Sequence, residues 1–394
     1  MLRFFGLMCV LALGVMGCSE TTGVMLCEGV MCEDDENECT GDGVCDPADG
    51  ECDYAPVVDG TECGDESSEC AVGQCASGAC ELTPVTNGTA CGDDAGTCQV
   101  GSCQVACTEQ GIRDAIAAGG GPYTFDCDGP QTVVTAAGIV IDNDVILDGE
   151  GNLTVDGDDD HLVFGVNEGV IAELTGFTVT RGRTEVGTPD FPIFGGCISN
   201  EGTLALTNCT VTRCTAAESI NPTLLNSGGG IASQGPLTLT NCIVSENSAE
   251  ALGGGIWGGP LTLTDSIVSG NSARSGGGIS GGGFTITNST VSDNVATLLP
   301  GGGIQSRGGP STITNSTVSG NSADTGGGIL SEEGGELTIT NSTISGNTGG
   351  AIHNSSSTVM LRNATVSGGV LSGSVGDEVS TTVTTAALLD GACT

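Results

Sequence analysis

The sequence predicts an all-β solenoid in which short strands wind into stacked coils, and three observations predict it. Between Gly228 and Asn354 one pattern returns every 23 to 25 residues: Gly-Gly-Gly-Ile, a variable turn, Leu-Thr-Leu-Thr-Asn, then Ser-Thr-Val-Ser-Gly-Asn-Ser-Ala. Repetition at that period marks a solenoid. Inside each repeat apolar and hydroxyl residues alternate, as in Leu261-Thr262-Leu263-Thr264, which is the two-residue period of a strand. Gly, Thr, Ser and Asn dominate and no apolar residue recurs at three or four, which argues against helix.

Stacked coils bring equivalent residues above one another at roughly 4.8 Å, the spacing of paired strands. Three aliphatic columns then fill the interior, one running Ile231, Ile256, Ile279, Ile304, Ile329 and Ile352, a second from Leu239 to Leu361, and a third from Val244 to Val366. At the turn after the second strand a polar column runs Asn208, Asn241, Asp265, Asn288, Asn315, Asn341 and Asn363, where side-chain amides one rung apart are expected to form a hydrogen-bonded ladder. A second Asn column runs from Asn247 to Asn347. One coil alone buries too little to offset the ordering of its own backbone, so neighbours must stabilise each other.

The Gly-Gly-Gly-Ile and Ser-Gly-Asn-Ser-Ala elements resemble the right-handed parallel β-helix family, and in particular the repeats of polymorphic outer membrane proteins. Their Gly-Gly-Ala-Ile element is matched at Gly349 to Ile352, while their Phe-x-x-Asn element has Val or Ile at the Phe position, as in Val268-Ser269-Gly270-Asn271. The resemblance covers about two thirds of the chain and implies a right-handed parallel β-helix of about ten rungs. It implies no particular activity, because that fold serves lyases, hydrolases and adhesins alike.

Residues 1–17 read as a signal peptide: Arg3 precedes the apolar run Phe4 to Val15, too short to span a bilayer. The run ends in Val15-Met16-Gly17-Cys18-Ser19, which resembles a bacterial lipoprotein box and implies lipidation of Cys18 and a membrane anchor. Residues 18–31 form a tether. Residues 32–107 carry twelve cysteines at similar intervals, from Cys32 to Cys107, and read as three small modules with two disulfides each, as expected of pieces too small to build a core. Zinc is a poor alternative for an exported region without His or close Cys-x-x-Cys pairs. Calcium is the candidate ion for the acidic runs Glu33 to Glu38 and Asp46 to Asp53, although neither fits the spaced twelve-residue loop.

Thr108 to Ala118 is a helical segment, with Thr108 as N-cap, Ile112, Ala115 and Ile116 on one face, and Gly119-Gly120-Gly121 at its end. Residues 108–130 are therefore expected to cap the open end of the solenoid, with Cys107 and Cys127 as a candidate staple. The solenoid is expected over 131–369 and a C-terminal cap over 370–394. Cys209 and Cys242 fall in one column, at a spacing that allows either a disulfide or a reduced ladder.

The chain has a formal charge of -41 and its eight basic residues are all Arg, so loss of Arg3 with the signal peptide gives -42. Such a molecule repels nucleic acid and anionic lipid surfaces. Asp158-Asp159-Asp160-His161 is the densest polar cluster, and resembles the acidic pair of β-helix polygalacturonases without their Gly-His-Gly and Arg-x-Lys elements. The column Ser199, Ala232, Trp257, Ser280, Gln305, Leu330 and His353 is expected to face outward, with Trp257 available to stack on a sugar. Two insertions interrupt the array, Arg181 to Phe194 and Ala216 to Ser227, and the first gathers Arg181, Arg183 and Asp190. With Trp257 these are the candidate ligand contacts. No catalytic residue and no resident metal is assigned, so the reading is a non-catalytic, lipid-anchored protein of the outer membrane or cell surface, acting in adhesion, in glycan or protein binding, or in envelope structure. The alternative is a polysaccharide lyase or glycoside hydrolase working through the first insertion.

Overall fold

The computed structural model describes residues 102–184, 195–217 and 226–367, with shorter pieces at 44–45, 52–53, 56–57, 61, 71–76, 79–84, 89–91, 96–99, 375–377 and 382–384. The chain divides into two compact units, residues 1–67 with 72–83, and residues 68–71 with 84–394. The first unit carries two-stranded sheets, Val44–Cys45 antiparallel to Cys52–Asp53, and Ala71–Ala76 beside Ala79–Pro84. Cys75 there is buried and disulfide-bonded. The signal peptide, Cys18, the tether and the two acidic runs lie outside the described residues, apart from the strand backbone at 52–53.

The second unit is the all-β parallel solenoid. Nine strands stack in one sheet, from Ile139–Ile141 through Phe164–Val166, Ile198–Asn200 and Ile231–Ser233 to Ile352–Asn354. That agrees with the expectation of about ten rungs. Near the start Val145–Leu147 and Leu153–Asp156 are two ends of one twelve-residue strand, Val145–Asp156, that serves two faces of a single rung. From it two further parallel strips run along the solenoid, one through Leu237–Thr240 and Leu261–Thr264, the other through Ile243–Ser245 and Ile267–Ser269. Both strips continue into residues 370–394, where Val375–Asp377 and Thr382–Thr384 each add one more parallel strand.

The three aliphatic columns stack in register along the axis, and Ile256, Ile279 and Ile304 are 1 %, 1 % and 0 % exposed. The first column extends toward the N-terminus through Ile198 and Phe164 to Ile139. Near that end Phe125, Phe177 and Phe164 meet edge to face, with ring centroids 5.8 and 6.4 Å apart. These larger rings fill the wider, less regular first rungs.

The helix spans Glu109–Ala118, with the Thr108 hydroxyl accepting from the Gly111 N–H and Ile112, Ala115 and Ile116 buried. Gly119 closes it at φ 69°, where its N–H reaches the Ala115 and Ile116 carbonyls. Cys107 and Cys127 form a disulfide across it. The third cysteine module does not stand apart from this cap. Ser102–Ala106 runs parallel to Gly120–Asp126 as part of the solenoid sheet, Cys91 bonds Cys103, and Cys107 pairs outside the module. The boundary expected at residue 107 thus falls inside one compact unit.

The two Asn columns do different work. Asn208, Asn241, Asp265, Asn288, Asn315, Asn341 and Asn363 are exposed and left-handed, with φ between 48° and 54°. Asn and Asp tolerate that region best after Gly, so backbone geometry explains their choice. The ladder expected there is broken into three bonded pairs, Asn241 to Asn208, Asn315 to Asn288 and Asn363 to Asn341. The Asp265 carboxylate has no N–H to pass on. The continuous ladder is the buried column Asn247, Asn271, Asn294, Asn321 and Asn347, in which each amide oxygen accepts from the residue one rung before.

A parallel ladder of small side chains holds Cys209 and Cys242. They are free, buried thiols, and the Cys209 N–H points at the Cys242 sulfur, as the Cys242 N–H points at the Ser266 hydroxyl and the Ser266 N–H at Ser289. Of the two states the spacing allowed, the structure has the reduced one. The bond with the Cys242 sulfur and burial together push the Cys209 thiol up.

Candidate functional site

The acidic cluster sits where two neighbouring rungs turn together at the base of the first insertion. Asp158 and Asp159 occupy left-handed backbone at φ 53° and 58°, and Arg181, one rung on, does so at 48°. Hydrogen bonds from Asp159 N–H to the Arg181 carbonyl and from Asp160 N–H to the Gly157 carbonyl, 2.7 and 3.0 Å, fasten the two turns. The backbone therefore delivers the Arg181 guanidinium to the acids.

Arg181 Nε lies 2.9 Å from both oxygens of the buried Asp156, and Nη2 lies 3.0 Å from Asp158 Oδ1, with Asp159 Oδ2 3.9 Å from Nη1. The hydrogen bond and charge of Asp156, with those of Asp159 and Asp158 behind them, raise the Arg181 pKa still further. Asp156 also caps the turn by accepting from the Asp158 N–H at 2.8 Å. A forked donor facing a buried carboxylate is the geometry of a clamp.

His161 closes the other side. Its Nε2 lies 2.7 Å from the Thr135 hydroxyl, which itself donates to the Asp156 carbonyl at 3.2 Å. Donor accounting then puts the imidazole proton on Nε2. Nδ1 is buried without a hydrogen-bond partner, 3.9 Å from Asp160 Oδ2. The group holds the two turns together.

The other sequence candidates are not gathered at this place. Arg183 is half-buried in a short strand paired with Thr215, its N–H bonded to the His161 carbonyl. Asp190 lies outside the described residues. Trp257 is half-buried on Ile256–Gly258, between Ala232 and Ser280. His353 stacks in the same column four rungs further on.

That column does not form the open contact face expected of it. Ser199, Ala232, Ser280, Gln305 and Leu330 are all buried. The Gly-Gly-Gly turns lie over them: a Cβ on Gly276 would stand 2.7 Å from the Ser280 Cβ, and one on Gly326 2.9 Å from the His353 Cβ. Gly276 and Gly326 adopt φ near 58° as well, so the turn needs glycine twice over, for its dihedrals and for its lack of a side chain.

Two features had no reading in the sequence. A disulfide joins Cys197 to Cys214, seventeen residues apart at the two ends of the stretch between the insertions. A cleft of about 530 Å³ opens beside the end of the cap helix, lined by Gly119, Gly120, Asp142, Asn143, Asp144 and Glu168 among others. Asn143 donates to the Ile116 and Ala117 carbonyls and Asp144 accepts from the Ile171 N–H, so its polar groups also serve the fold. Among the described residues no set of three His, Cys, Asp or Glu side chains is placed to share a metal ion.

Comparison with curated proteins and with solved structures finds no match to the chain. Residues 278–385 match a family model described as the right handed beta helix region. That match falls on the regular rungs whose parallel register is described above, and this part of the chain is similar to a right-handed β-helix.

Proposed function

We propose that the protein is a non-catalytic β-helix that acts by contact, exported and anchored through a lipid on Cys18 at the outer membrane or cell surface. Its partners on this reading are glycans or other surface proteins, or the envelope itself. The observation that carries the reading is the commitment of Arg181 to Asp156 and Asp158. A lyase-like site needs a basic group facing substrate, and the charge best placed for that role is already spent inside the fold. Arg183 and Trp257 remain the candidate contact residues, and Asp190 stays with them as a sequence candidate. Among the described residues no helix is long and apolar enough to cross a membrane, which leaves the anchor to the N-terminal segment in this proposal.

A glycan panel run with and without calcium tests the contact reading. Retention without product formation is the expected result. Product formation that disappears in Arg183→Ala would replace it with a polysaccharide lyase or hydrolase. Labelling with a lipid precursor should mark the wild type and not Cys18→Ala; equal labelling of both would remove the anchor from the proposal.

A further inference from the structure

The second strip of the solenoid presents an array that neither the cluster nor the insertions use. In Thr238-Leu239-Thr240 the leucine is buried and the threonines on either side face solvent, and the same triplet recurs in register in the next four rungs, ending at Thr338-Ile339-Thr340. Two straight columns result, one of five threonines from Thr238 to Thr338 and one of seven that also takes in Thr207 and Thr175. The first stops at Ala205, and on the other side the two stop at Met360 and Arg362.

The chemistry of this surface is unusual for the chain that carries it. The protein has 49 acidic residues, yet no outward position within the array is charged, and the nearest acids, Asp265 and Glu336, stand at its margins. Nor does it hold an aromatic ring: the only Trp of the chain, Trp257, is on a different sheet. A sugar-binding face is expected to combine stacking rings with a few directional polar groups. An ionic partner would demand complementary charge. This face suits a neutral partner that is itself periodic.

Spacing identifies the partner. Threonines in successive rungs stand roughly 4.8 Å apart, and the two in one strand, separated by twice the 3.3 Å rise, about 6.6 Å apart. Water molecules hydrogen-bonded tetrahedrally at about 2.75 Å place second neighbours about 4.5 Å apart and repeat along the perpendicular axis at about 7.3 Å. Both spacings agree to about a tenth. Threonine is stiff at χ1, so methyl and hydroxyl groups are held at those points before any partner arrives and little side-chain entropy is lost on contact.

We propose that the Thr238 to Thr340 face binds the surface of crystalline water. The inference is independent of any adhesive role and of the anchor. The test uses the full chain, measuring thermal hysteresis and partition of fluorescently labelled protein onto growing ice. The wild type should show both, and Thr285→Lys with Thr314→Lys should return both to the buffer baseline, while Thr290→Lys on the neighbouring strip should not. Thr262→Ala with Thr285→Ala removes only solvent-facing atoms, so it should give the same direction of loss with an unchanged melt even if the lysine variant folds poorly. A folded wild type without hysteresis or partition overturns the proposal. So does an equal loss in Thr290→Lys, or retention on an insoluble glycan that is lost in Thr285→Ala while ice partition is not.

Discussion

The Asn294 side-chain oxygen accepts two hydrogen bonds from Asn271, one rung before it, from the main-chain N–H at 3.0 Å and from the amide at 2.9 Å. Its own amide donates to the Val268 carbonyl at 3.0 Å and to Asn321 at 2.9 Å. Both Asn residues are fully buried. Asn294→Ala strands two buried donors on Asn271, each costing about 1–3 kcal/mol, so a loss of about 2–6 kcal/mol is expected in denaturant unfolding. Asn294→Asp keeps the acceptors but loses the donors and buries a charge, and should be no better.

The serine ladder makes a graded prediction. The Ser289 hydroxyl accepts from the Ser266 N–H at 3.1 Å and donates to the Thr287 carbonyl at 2.7 Å. Ser289→Ala leaves the Ser266 N–H buried and unpaired, which costs about 1–3 kcal/mol. Cys242→Ser restores at that rung the residue the later rungs use, and its melting temperature should match or exceed the wild type.

The Cys197–Cys214 disulfide closes a loop of seventeen residues between the two insertions. Loop-closure entropy for that length is about 3 kcal/mol, and Cys197→Ala with Cys214→Ala should lose roughly that much. A change in the denaturant midpoint without a change in slope would locate the effect in stability alone.

Two carboxylates give opposite responses to pH. Burial raises the Glu109 pKa, but the Ala136 N–H and Arg113 outweigh it and hold it below its usual 4.5. Its contribution is therefore present above that value and fades as pH falls through the lowered one, and Glu109→Gln should flatten this acid limb of the stability curve. Glu201 is raised above 4.5 by burial and by the nearby Glu168, with one side-chain oxygen buried and unpartnered. A raised carboxylate favours the fold below 4.5 and loses that advantage as pH rises through the folded value. Glu201→Gln should thus melt higher than wild type at pH 7, with the gap closing toward acid.

Much of this was legible beforehand. The three aliphatic columns, the helix with its Thr108 cap and the Cys107–Cys127 staple followed from counting residues, because a period fixes which side chains meet along the axis. The clamp did not follow so directly. Asp156 pairs with Thr180, and Arg181 comes just after it, but only the left-handed turns at Asp158 and Arg181 bring the guanidinium back onto the acids. Trp257 and its column read as an open face because alternation tells inside from outside within a strand, yet says nothing of a turn that folds over the outside.

The sequence by itself determined the repeat, the strand period, the order of the columns and the end that needs a cap. Only the tertiary structure decided which Asn column is the buried ladder, that Cys197 joins Cys214 while Cys209 and Cys242 stay free, and which outward residues water reaches. Stacking is a translation along one axis, so a linear code records it in full. What lies around the coil at any one rung depends on the dihedral angles of Gly and Asn turns, and those residues are the ones whose identity constrains their dihedrals least.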